Sequence, residues 1–226
     1  ARVADLAPDV VHVHGLDTPL PVRRLARAVR APLLVQDHGT VPPVGWRRGA
    51  WRWAYAPLSA VAFTAREQAA PFVAAGTLRR DIAVHEVLES STAFSPGDVD
   101  SARAATGMSG DPCLLWAGRL DANKDPLTAL AAFERAAPRL PDARLWCCFG
   151  RAPLLDAVRR RVAASPALRD RVRLLGTRPH GEMELRHRAA DFFVQASHRE
   201  GSGFALLEAL ACGATPLVTD IPAARR

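Results

Sequence analysis

Apolar residues fall in short runs of four to six through most of the chain, and between them lie longer stretches with helical spacing. The runs at Val10–His14, Pro32–Gln36 and Ser59–Thr64 read as strands, and Leu20–Arg30 and Arg66–Ala75 as helices. A further extended stretch lies at Ile82–Leu88. Periodicity then lapses from Glu89 to Gly110, where Ser, Pro, Gly and Asp gather as in a linker. Alternation resumes with strands at Cys113–Ala117, Ala143–Phe149, Val172–Leu175, Asp191–Gln195 and Pro216–Thr219. The intervening helices are expected at Pro126–Ala137, Leu154–Ala164, Glu182–Ala190 and Gly203–Cys212. Strand–helix alternation on both sides of a linker implies an α/β chain with two doubly wound parallel sheets. The expected division is a first domain over 1–98, a linker over 99–111 and a second domain over 112–226. In such sheets ligands bind beyond the carboxyl ends of the strands.

Composition narrows the classes without naming one. The 226 residues are 49% hydrophobic and 23% charged, as in a soluble globular protein. No apolar run is long enough to span a bilayer as a helix. The net charge of +7 comes almost wholly from arginine, with Lys124 the single lysine. The basic residues are scattered, so nucleic acid is not an expected partner; a GC-rich coding bias explains the arginine, alanine and proline content equally well. Cys113, Cys147, Cys148 and Cys212 form no C-x-x-C pair and sit mostly in apolar surroundings. Buried free thiols in a reducing compartment are expected, hence a cytoplasmic location. The first residues carry no leader pattern and both ends read as cuts in a longer chain.

The most informative segment is Glu200-Gly-Ser-Gly-Phe-Ala-Leu-Leu-Glu208, running on to Gly213. It follows the strand Asp191–Gln195, so it reads as strand, glycine loop, helix, with Glu200 at a strand's carboxyl end. Helix-start N–H groups can hold hydroxyl-rich or anionic ligands, and Gly201 and Gly203 leave the approach open. An ordinary glycine turn before a helix is the plainer alternative. Gly118-Arg119-Leu-Asp-Ala-Asn-Lys124-Asp-Pro126 places two cations in a loop before a helix, as a diphosphate would need. A merely basic loop remains the alternative there.

Other features are weaker. His12 and His14 alternate in a strand and share a face, but no third metal ligand lies nearby. His38, just past a strand, suits either a substrate contact or a structural loop. Asp98-Val-Asp100 has the form of a metal-binding D-x-D, yet Asp98 before a helix is better explained as an N-cap. Trp46–Tyr55 interleaves aromatics with arginines; it fits a helix on a membrane surface or one packed on its own domain. No G-x-G-x-x-G fingerprint or P-loop is present.

Taken in order, Gly118-Arg-Leu-Asp with Lys124-Asp-Pro, Asp191–Ser197 and Glu200–Gly213 resemble the family 4 glycosyltransferases of the GT-B fold. Asp9–Gly15 and Val35–Gly39 resemble that family's acceptor-side domain less specifically. The resemblance implies two Rossmann-like domains facing a cleft. It implies a retaining, metal-independent transfer from a nucleotide-sugar, a co-substrate, with no cofactor. The acceptor would be a glycan, lipid or small molecule in bacterial cell-envelope glycolipid or polysaccharide synthesis, with peripheral contact at the inner membrane face as a further expectation. By the same resemblance Arg119 and Lys124 hold the donor diphosphate, Glu200 contacts donor-sugar hydroxyls, and Glu208 contacts the ribose. Gly118, Gly201, Ser202, Gly203 and Phe204 line the donor site, and His38 lies near the reacting centre. A front-face mechanism without a covalent intermediate is implied. The resemblance further implies that the family's first strand and glycine-rich loop, and its closing C-terminal helix, are missing, so little activity is expected of these residues alone. A nucleotide-sugar epimerase of the same fold and a non-catalytic nucleotide-sugar-binding module are the competing readings.

Overall fold

A computed structural model describes residues 3–89 and 91–225. The chain divides into two compact units: residues 1–90 with Glu200–Ser202 and 225–226, and residues 91–199 with 203–224.

In the first unit, β1 (Val11–His14), α1 (Pro19–Ala28), β2 (Leu33–Gln36), α2 (Arg47–Tyr55), β3 (Ala60–Phe63), α3 (Ala70–Ala74) and β4 (Ala83–Glu86) follow in order. The strands form one parallel sheet, ordered β1-β2-β3-β4. Proline occupies the first turns of α1 and α3, where its missing N–H costs nothing. Helix α3 is shorter than the expected 66–75 because Arg66–Ala69 forms a 3-10 turn. The core gathers Val11, Val35, Val61 and Phe63 from the sheet with Trp51, Tyr55 and Phe72 from the helices. Tyr55 pins α2 to the turn after β1 by donating its hydroxyl to Leu16 O at 2.6 Å. Helix α2 therefore packs on its own unit through Trp51, Ala54 and Tyr55. It also leaves Trp46 84% exposed at its start, and Arg23 and Arg27 lie over the Trp53 ring at 4.8 and 5.5 Å. Among the described residues no helix is long and apolar enough to cross a membrane.

The second unit opens with α4 (Val99–Thr106), inside the stretch expected as a linker. The linker expectation over 99–111 is corrected here: α4 buries Ala102, and Met108 beyond it is buried too. The composition misled because a helix this short needs only one small apolar contact row, too little to register as periodicity. Asp98 caps α4, accepting from Ser101 N at 2.8 Å, and the bonds from Ser101 hold its carboxyl below the usual range. The helix ends at Gly107 in the left-handed conformation.

Then come β5 (Cys113–Gly118), α5 (Pro126–Ala136), β6 (Arg144–Phe149), α6 (Leu155–Ala164), α7 (Pro166–Arg169), β7 (Val172–Gly176), α8 (His180–Ala189), β8 (Phe192–Gln195), α9 (Phe204–Ala211) and β9 (Thr215–Val218). The parallel sheet has the order β7-β6-β5-β8-β9, so the chain reverses direction across the sheet between β7 and β8. Alternate residues of the buried strands feed opposite cores. Leu114, Trp116, Leu145, Cys147 and Phe149 face one, with Leu130, Phe133 and Val158 from α5 and α6. Cys113, Leu115, Trp146, Cys148 and Phe193 face the other, with Ala102, Ala189 and Leu206 from α4, α8 and α9. Burial on both faces is why these strands read as unbroken apolar runs.

All four cysteines are free and buried. Burial pushes the Cys113, Cys148 and Cys212 thiols from 9.0 up to about 11, and Cys147 is raised further. Below pH 9 such a thiol is protonated in both states and its contribution to stability is fully present; as pH rises from 9 through 11 only the unfolded chain ionises, and that contribution is lost. Thermal melts at pH 8, 9, 10 and 11 are therefore expected to show a progressive fall in Tm from pH 9 upward; an unchanged Tm would count against the burial effect. Tyr55, also raised by burial and by Asp17 and Asp37, acts in the same direction.

Candidate active site

In the second unit the loop after β5 is built around Asp121. Its Oδ1 accepts from Asn123 N at 3.1 Å and Lys124 N at 3.0 Å, while Oδ2 meets Arg119 Nε at 3.1 Å. One carboxylate thus organises the loop that carries both cations. Asp125 caps α5, accepting from Thr128 N at 3.1 Å and from the Thr128 hydroxyl at 2.8 Å, although its φ of +40° is left-handed. Gly118 sits against the Lys124 stem: an added Cβ would meet Lys124 Cγ and Cδ at 3.6 Å.

The same loop is bonded to the one after β8. His198 N donates to Asn123 O at 2.8 Å, Asn123 Nδ2 donates to Arg199 O at 2.9 Å, and His198 Nε2 lies 3.2 Å from Asp125 Oδ2. The Arg119–Lys124 loop and the residues leading directly into Glu200 are therefore fixed together at neighbouring strand ends. Around them Asn123 Oδ1, Gln195 Nε2 and Ser197 Oγ are buried with no hydrogen-bond partner among the described residues. Buried groups of that kind are rare, and in a site they are available to a ligand. Nearby, a cavity of about 140 Å³ opens between the ends of β5 and β6, with Thr177 and Arg178 on its wall. A larger apolar recess of about 460 Å³ between α5 and β8–β9 has no charged side chain in its lining.

Glu208 projects from α9, only 15% exposed, with His187 Nε2 3.6 Å and His180 Nδ1 3.9 Å from its carboxylate. His187 is wholly buried between Phe94 and Phe193, a neighbour of Glu208 that the sequence did not signal. Gly203 precedes α9 at φ +66°, a conformation that excludes most side chains, and Phe204 at the helix start is exposed.

In the first unit, the Asp37 carboxylate accepts from Gly39 N at 2.9 Å and Thr40 N at 3.1 Å, closing the turn that carries His38. His38 Nδ1 lies 3.0 Å from Glu89 Oε1, and His38 Nε2 lies 3.0 Å from His14 Nδ1. His38 Nε2 is thus engaged within the protein, while the buried Glu89 Oε1 has no hydrogen-bond partner among the described residues. Glu89, at the carboxyl end of the β4 stretch, escaped the sequence reading; its position past a parallel strand was the available signal. The His12 ring rests against His14, centroids 4.5 Å apart, and among the described residues no group of three or more His, Cys, Asp or Glu side chains could hold a metal ion.

Glu200, Gly201 and Ser202 cluster with these residues. Gln68 Nε2 donates to Glu200 O at 2.9 Å, the Thr64 and Ser202 hydroxyls are 3.0 Å apart, and Glu89 N donates to Ser202 Oγ at 3.1 Å. A Cβ on Gly201 would meet Glu89 Oε1 at 2.4 Å and the His38 carbonyl carbon at 3.1 Å. The missing side chain at Gly201 also makes room for Glu89.

The family model for the glycosyl transferases group 1 matches residues 98–226. A GDP-mannose:cellobiosyl-diphosphopolyprenol alpha-mannosyltransferase from Xanthomonas oryzae is 27% identical over 220 residues, 95% of this chain and 56% of that protein. A D-inositol 3-phosphate glycosyltransferase from Geodermatophilus obscurus is 39% identical over 135 residues, 55% of this chain and 29% of that protein. The chain spans about half the length of the first of these relatives. Anabaena HepE, solved in complex with UDP, superposes with a TM-score of 0.77 at 20% identity, over 99% of this chain and 64% of that one. The two parallel sheets, the second of them doubly wound, are those of the GT-B class, and the chain belongs to the group 1 glycosyl transferases.

Proposed function

We propose that the protein containing this chain transfers a hexosyl group from a nucleotide-sugar to a glycolipid or glycan acceptor, with retention at the anomeric carbon and without a metal. The observation that carries this reading is the hydrogen-bonded junction of the Arg119–Lys124 loop with residues 198–199, which brings fixed positive charge beside the approach to Glu200. Arg119 and Lys124 bind the donor diphosphate. The bond from the anomeric carbon to the diphosphate oxygen breaks, its electron pair leaving with the nucleoside diphosphate. The acceptor oxygen bonds on the same face, and its proton passes to the departing phosphate. Two guanidinium and ammonium charges held before departure lower the cost of that charge. Glu200 takes donor-sugar hydroxyls, Glu208 the ribose, and the Gly201–Phe204 backbone lines the sugar site. Relatives that use GDP-mannose and a polyprenyl-diphosphate acceptor, and a UDP-bound structural neighbour, support this class of donor and an envelope role. Exposed Trp46 and Val44, beside Arg47 and Arg48, support a peripheral membrane contact.

The test is calorimetric titration of the full-length protein with GDP-mannose, UDP-glucose and an ADP-sugar. Saturable binding of one nucleotide-sugar, weakened at least about tenfold by Glu208→Ala, is expected from loss of charge-assisted ribose contacts. No binding of any of the three would overturn the reading.

A further inference from the structure

Charge is uneven along this chain at short range. Between Thr18 and Arg66 stand eight arginines against a single acid, Asp37, which is buried and turned onto Gly39 N and Thr40 N. Helices α1 and α2 lie in this stretch, pack on each other and carry no acidic residue. Helix α2 has two apolar stripes. Trp51, Ala54 and Tyr55 face the core. Trp46, Ala50 and Trp53, at i, i+4 and i+7, share the other side, and all three are exposed, Trp46 by 84% and Trp53 by 46%. Trp46 already has right-handed helical dihedrals, so it keeps the phase of the helix. A helix that covers only its own domain needs the inner stripe alone. Val44, also exposed, extends the outer stripe into the entering loop, which Arg48 ties back by donating Nε to Pro43 O at 3.4 Å.

Arginines rim that stripe. Arg47, Arg48 and Arg52 are exposed on α2. From α1, Arg23 and Arg27 reach over the Trp53 ring, and Arg23 Nε is buried with no hydrogen-bond partner among the described residues. Two guanidiniums one helical turn apart repel each other. The indole face tolerates the pair, and a phosphate shared between them would remove the repulsion.

We infer that this α1–α2 face docks on an anionic phospholipid surface, with Trp46 and Val44 entering below the headgroups and Arg23 and Arg27 holding a lipid phosphate. An apolar tip inside a cationic rim has the depth order of such a bilayer, whose phosphates lie outside its acyl chains. Valine has no ring to stack on a base, so the tip does not suit a nucleic-acid strand. Trp53, held under two guanidiniums, stays at headgroup level. The use of the face, keeping a transferase beside a lipid-linked acceptor, rests on the transferase reading; attachment to vesicles is measured without any sugar transfer.

The experiment is co-sedimentation of the full-length protein with vesicles of phosphatidylcholine, alone or with a quarter phosphatidylglycerol, at low and high salt. Binding to the mixed vesicles is expected to be at least about tenfold tighter than to phosphatidylcholine alone, and to weaken as salt screens the arginines. Trp46→Ala is expected to weaken it about tenfold, the cost of withdrawing one interfacial aromatic, with Tm unchanged because the side chain is exposed. Arg23→Gln combined with Arg27→Gln should remove most of the preference for mixed vesicles. Bromine-labelled acyl chains should quench tryptophan emission of the wild type, and much less that of Trp46→Phe, which still binds. Equal binding to both vesicle types, or full binding by Trp46→Ala, overturns the inference. Release from mixed vesicles by inorganic phosphate at matched ionic strength would assign the arginine pair to a free anion and overturn it as well. Self-association or oligonucleotide binding that is lost in Trp46→Ala, without attachment to vesicles, would give the face to another partner. Vesicle binding by a protein that transfers no sugar leaves the docking in place and removes the transferase reading; transfer by a protein that ignores vesicles does the reverse.

Discussion

Lys124→Ala in the full-length protein is expected to lower kcat/KM for sugar transfer by about 10²–10³-fold, the loss typical of removing one preorganised group that meets transition-state charge. The magnitude follows from how the loop is built. Lys124 N is bonded to the Asp121 carboxylate and its stem lies along Gly118, so the ammonium is delivered from a backbone already in place. Arg119 pairs with the same carboxylate through Nε, which leaves its terminal nitrogens for a phosphate. Arg119→Ala should therefore cost a comparable factor, while Arg119→Lys recovers only part, because a point charge does not reproduce the fork. Steady-state kinetics with the donor varied check this. A loss below about threefold for Lys124→Ala would remove Lys124 from the chemistry and return the loop to being merely basic.

Phe193→Ala should destabilise the second unit by about 3–5 kcal/mol, the usual cost of emptying a buried aromatic site. Phe193 is fully buried in β8, in register with Leu115 on one side and Pro216 on the other. Its ring faces His187 at 5.6 Å, in the core closed by Ala189 and Leu206. Two strand neighbours and two helices cannot all move inward to refill the space. Urea unfolding of the chain measures the loss. Leu210→Ala, at an exposed position of α9, is the control and should stay within about 0.5 kcal/mol. A Phe193→Ala chain as stable as that control would show that the core around β8 collapses freely.

The strands were legible because each is buried on both faces, so Cys113–Gly118 and Arg144–Phe149 stand out as apolar runs between proline- and glycine-marked loops. The loop cations and the two glutamates were legible for a different reason: their residue types are costly anywhere but a surface or a site. Helix α4 was hidden, since Val99–Thr106 buries only Ala102 and its flanks are polar. Glu89 was hidden too. Nothing local distinguishes an acid after β4 from a solvated one; its significance arises only when β1, β2 and β4 align their ends. His187 escaped because a histidine packed between phenylalanines reads as surface polarity when only the chain order of α8 is known. Contacts between residues distant in sequence were the part no local pattern could supply.

The close approach at Gly201 has an evolutionary corollary. The space a side chain would need at that position is occupied by the acid of Glu89, which also lies 3.0 Å from His38 Nδ1. A side chain at residue 201 would push the Glu89 carboxylate from its present place beside His38 and would press on the His38 backbone as well. A substitution at residue 201 is thus felt at residue 89, although 111 residues of chain lie between them.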